Sequence, residues 1–304
     1  MKRIVYRKLP DGSFQYVQPF HVSLEGLEKA VICRDETDYD AITKTLCICA
    51  WRKNVIIIIY AVVSNHSHAA ILALNQADAD GYAMELKRMT GMWIRKRYNQ
   101  KEIMKHVDAK AIGMDTEWYV RNALAYIPRN ALDNGCPVNE YPWSGYRAMF
   151  CNGNWGTGPF RRVADLKKRE KAQLMHTCDN LSEVPWLLDE KGHLVPFSFC
   201  DYVYLEQAFE GDQSFFLRAI GSLNPAEMYH KLIESPRVMV TDGEFLKLAE
   251  DTCQRWFRAG LTEIPYEKRI RLITYLNHTT KTTVPQLSRI FRMDRDTVSN
   301  IIKR

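Results

Sequence analysis

The chain has 304 residues, of which 46% are hydrophobic and 26% charged, and its formal net charge is +6. This composition is that of a globular protein with room for two or three domains. No apolar stretch reaches the roughly 20 residues of a membrane span, and residues 1–12 lack the apolar core of a signal peptide. Eight cysteines occur without a CxxC pair, which argues against a zinc ribbon and favours free thiols in a reducing cytoplasm.

The charge is distributed unevenly along the chain. Residues 1–150 and 261–304 have an excess of basic side chains, whereas residues 151–260 have an excess of acidic ones. Two basic segments around an acidic one predict two modules that face nucleic acid, joined by a spacer. Ordinary solvated surfaces are the alternative, because the net charge is modest.

The first elements are predicted from apolar patterning and capping residues. Residues 14–17 and 20–24 resemble two short strands. Asp35, Thr37 or Asp38 can cap a helix that continues through Ala50.

A buried strand is predicted next, because residues 55–63 form an uninterrupted run of apolar, mostly β-branched side chains. His66 and His68 follow this run. Residues two apart on a strand point to the same face, so both imidazoles should project together while Ser67 turns away. Such a pair can bind one divalent metal or one phosphate, although two surface histidines with no function are the simpler reading.

Residues 69–74 are again strand-like, and Asp78 or Asp80 should begin a helix that continues to about Tyr98. One side of this helix is apolar, and the other could follow a phosphate backbone. The predicted contacts to DNA on it are Lys87, Arg88, Arg95, Lys96 and Arg97. Residues 99–114 are polar and are predicted to be irregular.

A further helix, beginning at residues 115–117, carries Tyr126 and Asn130 four residues apart on one face. A phenol is a poor nucleophile at neutral pH but becomes effective when a metal polarises the phosphate that it attacks. Asn130 could complete the metal coordination begun by His66 and His68. Pro128 lies between these two residues and should kink the helix.

Two other tyrosines compete with Tyr126 for the role of nucleophile. Tyr98 has Glu102 four residues later, which could coordinate a metal, and is the stronger rival. Tyr119 has Ala123 at that position, which cannot.

The remainder is predicted to be mainly helical. Residues 152–159 form a glycine-rich loop without a nucleotide-binding motif. The core candidates beyond it are Leu205, Phe209, Phe215, Phe216 and Leu217. Residues 284–291 and 295–302 should form two helices separated by a turn that ends in the capping residue Asp294. This pattern resembles a helix-turn-helix, whose last helix enters the major groove. The side chains predicted to face DNA are Arg295, Thr297, Ser299 and Asn300, and a small helical bundle without DNA contact is the alternative.

These motifs together resemble a known superfamily. The segment 64–68 after a hydrophobic strand resembles the HUH motif, and residues 126–130 and the YPWSGY segment at 141–146 complete the pattern with residues 20–22. Over residues 14–150 the chain is similar to the single-tyrosine HUH transposases, in particular the REP-associated tyrosine transposases.

The resemblance implies an α+β fold: a ferredoxin-like HUH nuclease core with an antiparallel sheet in residues 1–150. A mainly helical spacer at 151–260 and a helix-turn-helix tail at 261–304 would follow it. It also implies Mg²⁺- or Mn²⁺-dependent cleavage, with Tyr126 as the catalytic residue and His66, His68 and Asn130 as metal ligands. Single-stranded or hairpin DNA would be the partner, two copies could form a homodimer, and the protein would be cytoplasmic and nucleoid-associated.

Two other functions remain open. One is a catalytically inactive DNA-binding regulator on the same core, which Pro128 favours. The other is a replication-initiator-type HUH nuclease.

Overall fold

The computed structural model describes residues 3–25, 31–100, 103–151, 158–222, 242–280 and 282–303. Its strands are β1 (Val5–Lys8), β2 (Phe14–Glu25), β3 (Ile56–Val62), β4 (Ser67–Ala73), β5 (Asp108–Gly113), β6 (Arg161–Arg162) and β7 (Leu187–Leu188). Its helices are α1 (Glu36–Arg52), α2 (Gln76–Tyr98), α3 (Glu117–Asp133), α4 (Lys168–Met175), α5 (Tyr202–Ala208), α6 (Gln213–Ser222), α7 (Asp242–Phe257), α8 (Tyr266–Thr279), α9 (Val284–Phe291) and α10 (Arg295–Ile302). The expected α+β class with an antiparallel sheet is confirmed.

The main sheet is antiparallel, and its order across residues 18–25 of β2 is β5-β2-β4-β3. Residues 14–17 of β2 pair with β1 instead. The helix α1 connects β2 to β3, and α2 connects β4 to β5. Each connection therefore passes over one intervening strand.

The two faces of this sheet carry different helices. Phe20 and Val22 of β2 are buried on the face where α2 packs against β2, β4 and β5. Their neighbours His21 and Ser23 point to the opposite face, which also carries His68, since Ser23 lies directly across from His68. We call this second face the histidine face. The helix α3 packs on it, against β3 and β4.

Two hydrophobic cores stabilise the described segments. The first joins the sheet and α1–α3 to residues 163–220, including Phe209 and Phe216. The second lies among α7–α10 and includes Phe245, Leu272 and Val298 together with Val31. The expected boundary at residue 150 therefore falls within one continuous core, and α7 belongs with the tail helices. The functional division of the chain into three domains stays a prediction.

Several expectations about individual elements are corrected by the structure. The segments expected at 14–17 and 20–24 form one strand, β2, which pairs with β1 and then with β4 and β5. Part of the supposedly irregular 99–114 stretch is β5, and Asn75 rather than an aspartate caps α2. Leu217 is 45% exposed and is not a core residue, whereas Leu205, Phe209 and Phe216 are buried and Phe215 is partly buried.

No helix in the described ranges is long and apolar enough to cross a membrane.

Candidate active site on the histidine face

The turn between β3 and β4 carries the histidine pair. The amide of Val63 donates to the carbonyl of His66 at 3.0 Å, so Ser64 and Asn65 form the tip of a tight hairpin. His68 is the second residue of β4 and His66 lies just before that strand, with their ring centroids 4.9 Å apart. The predicted pairing of the two imidazoles is therefore present in the structure.

The YPWSGY segment supports this hairpin from the β3 side. The hydroxyl of Tyr141 donates to the carbonyl of Val62 at 2.6 Å, and the amide of Val62 donates to the carbonyl of Trp143 at 2.9 Å. A Cβ on Gly145 would lie 3.2 Å from the amide nitrogen of Tyr60, so only glycine fits without displacement. This motif thus holds the strand that precedes the histidines.

His66 contacts two amide oxygens. Its Nδ1 lies 2.8 Å from Oδ1 of Asn65, and its Nε2 lies 3.2 Å from Oδ1 of Asn130. The orientation of the Asn130 amide follows from its Nδ2, which donates to the carbonyls of Tyr126 and Ile127 at 3.1 Å each. An imidazole nitrogen can donate to an amide oxygen when it is protonated, or bind a metal ion when it is not.

His68 is only 2% exposed and lies beside a third imidazole. Its Nδ1 is 3.3 Å from Nε2 of His21, and the two rings stack with centroids 5.3 Å apart. Burial, reinforced by His66 and His21, lowers the pKa of His68 well below its usual value. His68 is therefore a neutral imidazole at pH 7, which is the form that binds metals.

Tyr126 lies over this cluster. Its ring centroid is 5.3 Å from that of His68 and 6.3 Å from that of His21, and the side chain is 37% exposed. A phenol with this exposure, beside the buried imidazole of His68, can contact a large substrate. The expected kink at Pro128 does not separate Tyr126 from Asn130, because α3 is one element from Glu117 to Asp133 and both side chains reach the histidines.

The rival tyrosines lie in other surroundings. The hydroxyl of Tyr98 donates to the buried carboxylate of Asp38 at 2.6 Å, and burial together with this bond raises the pKa of the phenol. Burial also raises the pKa of Tyr119. Glu102, the proposed partner of Tyr98, lies outside the described residues. Of the three candidates, Tyr126 is the one whose ring contacts those of His68 and His21.

The basic residues of α2 lie on the other side of the sheet from the candidate site. Arg88 pairs with Glu85 through two hydrogen bonds of 2.7 and 2.8 Å, and Arg97 pairs with Asp35 and Asp38. Within the described part of the chain no ion pair involves the other three, Lys87, Arg95 and Lys96. Of the five basic residues of α2 predicted to contact DNA, two are therefore held in ion pairs within the protein and three are available to contact a phosphate.

The predicted DNA-facing residues of the tail are arranged on α10 largely as expected. Asp294 caps the helix and accepts from the amide and hydroxyl of Thr297, which commits that side chain to the cap. Arg295 and Asn300 are exposed, Ser299 is half-buried, and Val298 is buried in the second core. Arg292 adopts a left-handed conformation with φ 53°, where such turns favour glycine.

Three residues of the histidine face were not predicted as site residues. His21 had no assigned role because its pairing with β4 depends on the long-range sheet order. Lys110 and Ile112 continue the histidine face on β5, opposite Ser23 and His21, and both are exposed. The alternation of polar and alanine side chains in Asp108–Gly113 is the signal that could have revealed this strand.

Among the residues that the structure describes, no group of three His, Cys, Asp or Glu side chains is arranged to hold a metal ion. The predicted metal ligands are instead two imidazoles and one amide, those of His66, His68 and Asn130.

Comparison with known proteins found no relative. No family model matches the chain, and no curated protein or solved structure matches it.

Proposed function

We propose that this protein is a metal-dependent single-strand DNA endonuclease of the transposase type, which cuts and rejoins DNA through a phosphotyrosine intermediate. The observation that carries the proposal is the meeting of Tyr126 with His66, His68 and Asn130 on one face of the sheet. These residues come from a hairpin and a helix separated by about sixty positions in the sequence.

The topology supports the same proposal. The order β5-β2-β4-β3, with α1 and α2 as crossover connections, is consistent with the β-α-β-β-α-β ferredoxin-like unit that we propose. The HUH resemblance implies such a core. Fold alone does not establish activity, so the argument depends on the site.

The residues present fit a divalent cation. Nε2 of His66 and Oδ1 of Asn130 are 3.2 Å apart. Ligand atoms on neighbouring corners of an octahedral Mg²⁺ site, each about 2.1 Å from the ion, are about 3 Å apart. His68 would be the third ligand through Nε2, because its Nδ1 faces His21. A Mg²⁺ or Mn²⁺ ion held there supplies Lewis-acid polarisation of the scissile phosphate.

The chemistry proposed for Tyr126 is transfer of a phosphoryl group to its phenol oxygen. The phenol loses its proton and forms an O–P bond, while the bond from phosphorus to the 3′ oxygen breaks and that oxygen leaves as a hydroxyl. The 5′ end is thereby joined to the protein. The reverse attack by a 3′-hydroxyl restores the DNA backbone and frees Tyr126.

The open part of the histidine face would receive the strand. Lys110 and Ile112 lie on the histidine face of β5, opposite Ser23 and His21, and Lys110 also forms an exposed ion pair with Asp108 at 3.0 Å. A lysine can contact a phosphate, and an exposed apolar side chain can pack against a sugar or base. Lys87, Arg95 and Lys96 of α2, and Arg295, Ser299 and Asn300 of α10, would contact DNA at a distance from the cleavage site.

The alternative of an inactive regulator is favoured by Pro128. Against it stands the continuity of α3, which keeps Tyr126 and Asn130 at the histidines despite the proline. A replication-initiator-type nuclease would share the cleavage chemistry and differ in the DNA recognised.

The test is a cleavage assay with labelled hairpin and single-stranded DNA and Mn²⁺, analysed on a denaturing gel. Wild-type protein should form a covalent adduct, and the Tyr126→Phe variant, which preserves the ring, should fold and form none. Tyr98→Phe is the matched control and should still form the adduct. Loss of the adduct in Tyr98→Phe alone would move the site to α2, and no adduct in wild type would favour the regulator.

A further inference from the structure

The hairpin tip that precedes His66 is bonded to the C-terminal helices. Ser64 is fully buried, and its hydroxyl donates to the Oδ2 oxygen of Asp242, the first residue of α7. The carbonyl of Ser64 accepts from the amides of Ile32 and Cys33 at 2.7 and 2.9 Å. The hydroxyl and the carbonyl of this residue are therefore both held by parts of the chain outside the hairpin.

A second residue from the C-terminal helices holds Asp242. Arg289 of α9 donates from Nε to Oδ2 at 2.7 Å and from Nη2 to Oδ1 at 3.1 Å. The side chains of Arg289 and Asp242 are 10% and 1% exposed. A two-point contact between a guanidinium and a buried carboxylate fixes the direction of both carboxylate oxygens. Oδ2 is thereby aimed at Ser64.

The backbone packs closely at the same junction. A Cβ on Gly243 would clash with the carbonyl oxygen of Arg34, so the start of α7 packs directly against residue 34. Val31 belongs to the second core, while Ile32 and Cys33 belong to the first. The segment 31–34 and the Ser64 turn are thus joined to the C-terminal helices by apolar packing and by the buried ion pair.

We infer that Asp242 and Arg289 are positioning residues of the candidate active site, through which the C-terminal helices hold the Ser64–His66 turn. This inference rests on the proposed function, because it assigns His66 as a metal ligand. Partners outside the ligand shell that orient a ligand commonly change metal affinity by about 10- to 100-fold when removed. The C-terminal helices would then support the metal site as well as contact DNA.

The decisive variant is Ser64→Ala in the full chain. It removes the hydroxyl that contacts Asp242 but leaves the pair of Asp242 with Arg289 intact, so the fold should survive. Its matched control is Ser67→Ala, also beside a histidine, where the hydroxyl is buried and has no hydrogen-bond partner. Arg289→Lys keeps the positive charge but loses the two-point contact with Asp242. Its effects should be smaller than those of Ser64→Ala and larger than those of Ser67→Ala.

Two readouts are measured on each variant: Mn²⁺ affinity by calorimetry, and hydrogen exchange of the amides in residues 31–34 and 61–68. We expect Ser64→Ala to bind Mn²⁺ about tenfold more weakly and to exchange faster in both segments, with Ser67→Ala unchanged. Affinity and exchange equal to wild type in Ser64→Ala would overturn the inference.

A wild-type protein that binds no Mn²⁺ would count against the proposed function instead. In that case exchange alone decides the positioning role: faster exchange confined to Ser64→Ala and Arg289→Lys supports it, and equal exchange overturns it.

Discussion

Replacing Asn130 with aspartate separates its two roles in the site. The amide of Asn130 is 2% exposed, and its Nδ2 donates to the carbonyls of Tyr126 and Ile127 at 3.1 Å each. Asn130→Asp loses both donors, each worth about 0.5–1.5 kcal/mol, and places a carboxylate oxygen against two carbonyls. Without metal we therefore expect a loss of about 2–3 kcal/mol in the free energy of unfolding.

The same variant should respond more strongly to Mn²⁺. The aspartate keeps an oxygen toward His66 and adds a negative charge, and carboxylates are preferred ligands of Mg²⁺ and Mn²⁺. Tenfold tighter binding would add about 1.4 kcal/mol of stabilisation at saturating metal. The assay is thermal and urea unfolding with and without Mn²⁺.

The control is Asn134→Asp, one helical turn further on. The Nδ2 of Asn134 donates to the carbonyl of Asn130 at 2.9 Å, so this variant loses one hydrogen bond of the same type. It should be mildly destabilised and respond to Mn²⁺ as wild type does. Equal stabilisation by Mn²⁺ in wild type and both variants would refute the assignment of Asn130 as a ligand.

Three further expectations follow from buried groups and charges. Because the pKa of His68 is lowered in the folded state, folding stability should fall below about pH 6.5 by up to about 1.4 kcal/mol per pH unit, and His68→Gln should flatten that dependence in urea titrations. Gly243→Ala should destabilise the protein by at least about 1–3 kcal/mol, whereas Gly81→Ala, whose nearest new contact is 3.8 Å away, should be neutral or stabilising in the same denaturation assay. Arg95→Ala should lower the salt slope of single-strand binding by about 0.7, whereas Arg88→Ala should change it less because Glu85 already pairs with that guanidinium.

The parts of the fold that the sequence predicts are those governed by local signals. Several local predictions correspond to elements of the structure: the apolar run at 55–63, a helix that begins at residues 115–117, and the turn before α10. Asp35, one of the three candidates, caps α1, and Asp294 caps α10. The strands β1 and β5 were not predicted because each is short and interrupted by charged side chains, and their pairing with β2 depends on residues far away in the chain. The assignment of α7 to the tail helices is likewise a matter of long-range packing.

The residues of the candidate site divide in the same way, into those predicted by local spacing and those brought together by long-range packing. The spacing of His66 with His68, and of Tyr126 with Asn130, is local, and each pair lies together as predicted. That His21 contacts His68 and that Asp242 contacts Ser64 follows from tertiary packing, which no spacing in the sequence reveals. The basic residues of α2 lie at the surface of the protein as predicted, yet the sheet topology puts them on the face away from the histidines.

Locating the covalent adduct by mass spectrometry tests the central claim most directly. After reaction with single-stranded DNA and Mn²⁺, nuclease trimming and trypsin digestion place each candidate tyrosine in a different peptide. Tyr126 is the only tyrosine of residues 122–129, while Tyr98 falls in residues 98–101 and Tyr119 in residues 111–121. We predict a nucleotide mass on the peptide 122–129 alone. A nucleotide on either other peptide, or on none in a protein that binds Mn²⁺ and DNA, would contradict the account.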